Sequence, residues 1–351
     1  MMMLSPPTLT IFAMCCTFEV LALSIPTGMN QQRNLEFTAQ QDGSHSSIDP
    51  LGPPHRVNKL EIGGDPLSIQ RSGSREDPFL VYRLTHCPPI FLLKNFLTPL
   101  ECRQIVEVAL STSSSSGEGD KNSSNVGMIP AETTEGDGSI LRRNCRVAWL
   151  DNLNNNLIQT LGQDAGNLLL SDAVKSSPKN SGCEPLQVLH YLEQGGEFVL
   201  HHDGVGRVLT VIYYLNGVAG TWFPLADQDN QKAKIVRLPQ NRDEALELAK
   251  DCVPGRDGML IAGRQSPLLK GARDQNIAVV DAGDCVAFYN YHLQDDAQQG
   301  EAANWLSLHA GLPTTAQEGE KWIANHWMHA PGLFQNTKTL FQRSKDTPKQ
   351  T

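Results

Sequence analysis

The sequence has no Cys-x-x-Cys pair, so the usual spacing of a structural zinc site or a thiol redox motif is missing. It has no internal repeat, which excludes a repeat architecture. Positive charge is in short supply: 29 Lys and Arg stand against 38 Asp and Glu, for a net charge of −9. That balance excludes a general nucleic-acid binder. Basic residues gather only late, from Lys321 to Lys349, and read as solvated surface. No apolar run is long and uninterrupted enough for a clear membrane span. What is present is enough hydrophobic residue, 40% of 351, to bury a substantial core in one large domain or two small ones.

The first residues come nearest to a targeting segment. Leu9 to Leu23 is apolar, has signal-peptide length and ends in the small residues Ala22 and Ser24. Glu19 interrupts it, and no Lys or Arg precedes Arg33. Residues 1–24 are therefore expected to be a signal peptide or a membrane anchor. This points to the secretory pathway, in the endoplasmic reticulum or Golgi. The chain stops at "PKQT" rather than at a K-D-E-L-type signal. Cys87, Cys102, Cys145, Cys183, Cys252 and Cys285 follow the leader, and six thiols in a secreted chain permit disulfides.

Residues 25–84 are rich in Gln, Ser, Gly, Pro and charge, and read as a flexible stem. The domain proper is expected over 85–335, followed by a basic tail over 336–351. Within the domain, "STSSSSGEGDKNSSNVG" (111–127) reads as a polar surface loop, with one N-x-S sequon at Asn122. "IFLLKNF" reads as a strand. A helix follows, with Thr98 as N-cap, Pro99 at the first helical position and Glu101 closing a T-x-x-E capping box. A second helix is expected from Leu153 to about Leu170.

From Leu186 the texture changes. "PLQVLHYL", "GRVLTVIYYLNG", "GTWFPLA", "DCVAFYNY" and "WLSLHAGL" are short β-branched or aromatic runs punctuated by Gly and Asn. Such spacing predicts an antiparallel sandwich or barrel behind a helical flank, an α+β but mainly β fold.

One stretch, "FVLHHDGVGR", carries the chemistry. In a strand, residues i and i+2 share a face. His201 and Asp203 then point one way, and His202 points the other, toward packing or supporting hydrogen bonds. An imidazole and a carboxylate on one face are two ligands of a metal site. Two histidines with one carboxylate make the facial pattern of non-haem Fe(II), with three positions left open. His190, His292, His309, His326 and His329 are candidates for the third ligand. His309 is preferred, because "SLHAGLP" is a strand-like run ending in a turn.

Taken with these motifs, the stretch from Pro89 to Ala330 resembles the prolyl 4-hydroxylase family of 2-oxoglutarate- and Fe(II)-dependent dioxygenases. Phe96, Leu97, Glu101 and Cys102 match its opening block. "YLEQGGEFVLHHD" supplies Gly195, Phe198, His201 and Asp203. Arg207, Thr210, Tyr214, Leu215 and Asn216 match R-x-x-T-x-x-x-Y-L-N. Gly220, Thr221, Phe223 and Pro224 match the following turn, and Gly283, Asp284 and Phe288 a later strand. Ser307, His309, Gly311 and Pro313 match S-x-H-x-G-x-P, and Gly319, Lys321, Trp322 and Trp327 match G-x-K-W-x-x-x-x-W.

The resemblance implies a double-stranded β-helix, or jelly-roll, core with Fe(II) on His201, Asp203 and His309. It implies that 2-oxoglutarate is a co-substrate whose distal carboxylate meets Lys321 and Thr221, with Tyr191 as a third contact. It also implies O2 and ascorbate as co-reactants. The expected reaction is hydroxylation of prolyl residues in a protein or peptide, with succinate and CO2 as co-products. Arg207, Phe198 and Trp327 are expected near that peptide. A dioxygenase of another side chain or small molecule, or a non-catalytic jelly-roll binding module, are the alternatives. The chain departs from the family in placing Tyr191 one residue further from Gly195, in having Phe198 where a tyrosine is usual, and in a long polar stretch over 225–282. That stretch is expected to hold a short helix near Asp243–Lys250 and to cover the mouth of the site.

Overall fold

The short apolar runs pair edge to edge, because a strand must satisfy its backbone groups on a neighbour. A computed structural model describes residues 57–69, 78–111, 128–134, 140–152, 155–170, 183–192, 196–204, 206–227, 238–270, 276–291 and 303–329. The leader over 1–24, the sequon at Asn122, His292, nearly all of the polar loop over 111–127 and the tail over 336–351 lie outside the described residues.

In chain order the strands are β1 (Leu67–Ile69), β2 (Phe79–Thr85), β3 (Ile90–Lys94), β4 (Ile129–Thr134), β5 (Ile140–Leu150), β6 (Leu186–Tyr191) and β7 (Phe198–His201). They continue with β8 (Arg207–Tyr214), β9 (Gly220–Phe223), β10 (Met259–Gly263), β11 (Ile277–Val280), β12 (Cys285–Tyr289), β13 (His309–Gly311) and β14 (Lys321–His329). Among the described residues three α-helices, α1 (Pro99–Ser111), α2 (Asn156–Leu169) and α3 (Arg242–Ala249), accompany them.

The strands form two sheets. The larger has nine, in the order β1-β2-β3-β12-β8-β14-β6-β5-β4, and the smaller five, in the order β11-β10-β9-β13-β7. All pairings are antiparallel except β10 with β11. From β6 to β14 the chain alternates between the sheets at most connections, which is the winding of a jelly roll.

Side-chain alternation divides the core in two. Along β8, Ile212 and Tyr214 turn toward the smaller sheet and pack with Phe223, Ile261 and Phe288. Val211 and Tyr213 turn the other way, onto the helical layer of Ile105, Ile158, Leu161 and Ala165. The capping box of α1 is formed: the Thr98 backbone N–H donates to Glu101 Oε2 at 2.7 Å, and the Glu101 N–H donates to Thr98 Oγ1 at 3.1 Å. Asn155 caps α2, accepting from the Leu157 and Ile158 N–H groups.

The structure corrects three expectations. The stem over 25–84 is not a flexible linker in its described part, because it supplies β1 and β2. In "FLVYRLT", Phe79 and Val81 are buried beside Phe96, a pattern too short to stand out from its polar surroundings. The stretch 225–282 is not only a cover. It supplies α3 and also β10, which pairs with β9 as wall of the smaller sheet. "MLIAG" is buried throughout, but it is five residues between polar segments. Gly258 makes its entry possible. It has φ +67°, and a Cβ there would lie 1.9 Å from the Phe223 carbonyl oxygen. Lastly, the disulfides that the six cysteines beyond the leader would permit are not formed in the structure. Among the described residues no helix is long and apolar enough to cross a membrane.

Candidate metal centre

Strand pairing brings the distant histidines together. β13 pairs with β7 so that His309 is the direct antiparallel partner of His201. Side chains of such partners stand on one face, and the two imidazole centroids are 4.2 Å apart. Asp203 follows two residues after His201, just past the strand end. Its Oδ1 is 3.6 Å from His201 Nε2, and its Oδ2 is 3.9 Å from His309 Nε2. One ligand atom from each of His201, Asp203 and His309 lies within 4.8 Å of the others.

The imidazoles are aimed by their own backbone. His201 Nδ1 is 2.9 Å from the Val199 carbonyl, and His309 Nδ1 is 2.9 Å from the Ser307 carbonyl. A carbonyl can only accept, so each Nδ1 carries the proton and each Nε2 keeps its lone pair. Phe198 lies against the His201 ring, and Phe223 and Phe288 against His309. Burial lowers the His309 pKa to about 3, keeping it a neutral ligand. Burial alone would raise Asp203, but His309 and His201 hold it well below the usual carboxylate range. Two imidazoles and one carboxylate, all on one side, fit a first-row divalent ion that keeps open positions.

The other described candidate histidines are spent elsewhere. His190 stacks on Trp322 at 3.9 Å and meets Glu320. His326 is buried between Tyr213 and Asn152. His329 Nε2 is 2.6 Å from Glu184 Oε1. His202 points away from the three ligands, between Trp305 and Tyr291.

Deeper between the sheets sits Lys321. It is 2% exposed, and its Nζ donates to the Leu312 carbonyl at 2.8 Å and lies 4.2 Å from the centre of the Tyr191 ring. Burial lowers its pKa to about 8. Thr221 is buried in the same cluster of strands, and its Oγ1 accepts from the Tyr214 hydroxyl at 3.0 Å. A buried cation with a carbonyl and a ring face beside it, and a threonine hydroxyl with a proton to offer, has the chemistry that a carboxylate needs in a dry interior. Tyr214 went unassigned as a contact, although alternation along β8 sets it on the inner face with Ile212.

Arg207 and Trp327 meet directly: the guanidinium carbon is 4.0 Å from the ring centre. Glu184, absent from the sequence expectations, grips Arg207 through two bonds, Nε to Oε1 at 2.7 Å and Nη2 to Oε2 at 2.9 Å. Burial would raise Glu184, but His329 and Arg207 hold it low and ionised. Thr210 was likewise unassigned. Its hydroxyl lies 2.5 Å from Asp203 Oδ2.

The family described as the 2OG-Fe(II) oxygenase superfamily matches residues 186–329. A probable prolyl 4-hydroxylase 4 from Arabidopsis thaliana is 26% identical over 277 residues, 74% of this chain and 74% of that protein. Prolyl 4-hydroxylase 2 of the same plant is 25% identical over the same shares. A solved viral collagen prolyl hydroxylase from Paramecium Bursaria Chlorella virus-1, in complex with 2OG, is 18% identical, with a TM-score of 0.39 over 69% of this chain and 96% of that one.

Proposed function

Since the chain belongs to the prolyl 4-hydroxylase family of 2-oxoglutarate/Fe(II) oxygenases, we propose that it hydroxylates prolyl residues in a protein or peptide. The observation that supports this most is the meeting of His201, Asp203 and His309 within 4.8 Å. These three would hold Fe(II). With 2-oxoglutarate and O2 bound, the metal would support oxidative decarboxylation to succinate and CO2, one oxygen of O2 entering succinate and the other the new hydroxyl.

The protein's own part is binding and orientation. Lys321 carries a charge that burial disfavours, so an incoming carboxylate relieves a cost already present. The Thr221 hydroxyl takes the Tyr214 proton and so has its own to offer, and the Tyr191 ring floors the ammonium. Phe223 and Phe288 exclude water from His309. Arg207, Phe198 and Trp327 are the side chains assigned to the peptide. Glu184 holds the Arg207 plane against Trp327, so the pair presents one prepared surface. Ascorbate is assigned as the accessory reductant. The leader sequence supports the secretory pathway as the compartment.

The test is incubation of the full chain with Fe(II), 2-oxoglutarate and ascorbate and a pool of proline-rich peptides. Succinate release and peptides heavier by one oxygen, with the oxygen mapped to proline, are expected. Iron bound with no succinate from any proline-containing peptide would leave a non-catalytic binding module as the better reading. Succinate coupled only to another residue type would shift the substrate.

A further inference from the structure

Asn290 follows the last residue of β12 and is 0% exposed. A fully buried amide needs partners for its polar atoms. Asn290 finds them on each of the three segments that carry the candidate ligands or their supports. Its Nδ2 donates to Thr210 Oγ1 at 2.8 Å, and Thr210 is the residue 2.5 Å from Asp203 Oδ2. The Ser307 hydroxyl gives its proton first to the Asn304 carbonyl at 2.8 Å, with Asn290 Oδ1 as the longer branch at 3.3 Å, and the Ser307 carbonyl is the group that holds His309 Nδ1. Its backbone carbonyl receives His202 Nε2 at 3.0 Å, from the residue between His201 and Asp203. The Asn304 N–H donates to the same carbonyl at 2.8 Å.

The directions of these bonds are fixed by chemistry rather than by the shape of the amide. Two oxygens 2.5 Å apart need a proton between them. A carboxylate that serves as a metal ligand has none to offer, so Thr210 donates to Asp203. The hydroxyl has one proton, now committed, and must accept from its other neighbour. Asn290 therefore presents its NH2 to Thr210 and its oxygen to Ser307. His202 is fixed in the same way. Gly204 N–H donates to its Nδ1 at 2.9 Å, so the ring proton is on Nε2 and goes to the Asn290 carbonyl.

From this arrangement we infer that Asn290 is a positioning residue for the metal centre, an inference that rests on the proposed function. Through Thr210 it engages Asp203 Oδ2 and leaves Oδ1, the oxygen nearer His201, to face an ion. Through its backbone carbonyl, which takes the Asn304 N–H at 2.8 Å, and the longer 3.3 Å contact of its Oδ1 with Ser307 Oγ, it steadies the turn whose Ser307 carbonyl aims His309. One side chain thus ties together two ligands 106 positions apart in the chain (309 minus 203).

The experiment uses the full chain freed of metal and titrated with Co(II), read by calorimetry and by the visible Co(II) spectrum, with no turnover involved. Compared with wild type, Asn290→Ala is expected to bind Co(II) at least about 10-fold more weakly and to shift the spectrum. Thr210→Val, which keeps shape and loses the hydroxyl, is expected to do the same. Thr210→Ser is expected to retain wild-type affinity and spectrum. A folded Asn290→Ala with the affinity and spectrum of wild type overturns the inference. Should that variant not fold, equal Co(II) affinity in Thr210→Val and Thr210→Ser overturns it instead. A wild-type chain that binds no Co(II) brings down the proposed metal site itself, and the inference with it.

Discussion

Replacing Lys321 with Met is expected to stabilise the metal-free protein, and to do so in a pH-dependent way. Burial lowers the Lys321 ammonium from 10.5 to about 8. The folded protein thus holds this proton less tightly than the unfolded chain does. Between about pH 8 and 10.5 the unfolded state binds more protons, so the Lys321 contribution to stability rises with pH across that window. Below about pH 8 both states are charged, and the folded state carries the whole desolvation cost. The difference, 10.5 minus 8 or 2.5 units, corresponds to about 3 kcal/mol at about 1.4 kcal/mol per unit. Met is unbranched and uncharged and fills a similar volume. The variant is therefore expected to exceed wild type by up to about 3 kcal/mol at about pH 7, and to lose that advantage toward about pH 10.5. Cys102 and Cys183, each raised by burial to about 12, titrate in the opposite sense above about pH 9 in both proteins. The difference between the two stability curves removes their effect. Urea unfolding followed by tryptophan fluorescence at closely spaced pH values gives both curves. A difference that stays flat across the window, or a Met variant less stable than wild type near neutral pH, refutes the reasoning.

Three other outcomes are expected. His309→Ala removes a ligand without opening a new one, and equilibrium dialysis is expected to show loss of tight Fe(II) binding with the fold retained. Thr221→Val deprives Tyr214 of its acceptor and a bound carboxylate of a donor. It is expected to raise the 2-oxoglutarate KM by roughly 10-fold, about 1.4 kcal/mol, and less than Lys321→Ala does. Gly258→Ala places a Cβ against the Phe223 carbonyl at a positive φ. A loss of at least about 2 kcal/mol is expected in denaturant melts, with no change in metal affinity once the protein is folded.

Local signals in the sequence were legible, and long-range partnerships were not. The β-branched and aromatic run "RVLTVIYY" reads as a strand, though both its faces are buried, and the T-x-x-E box marks the start of α1. The H-x-D spacing sets two side chains on one face without knowledge of any neighbour. The strand β10 was missed because five apolar residues between polar segments carry no period of their own. The partners of the site were hidden for a different reason. Glu184 is 23 residues from Arg207, and Asn290 is 80 residues from Thr210. An isolated Glu or Asn looks the same in sequence whether it lies in water or closes a buried network. Only strand register decides, and register is a property of pairs.

The position of β7 at the edge of the smaller sheet has a consequence for how the protein ages. Among the described strands it pairs with β13 alone, and Val199 at its centre is 54% exposed. An ion shared by His201 on that rim and His309 on its neighbour would act as a clasp across the seam. Taking the ion away frees the margin to fray, and amide hydrogens there exchange before those of the inner strands. Starvation for metal would then do more than silence the chemistry: it would uncover a strand border on which a second chain can begin to aggregate.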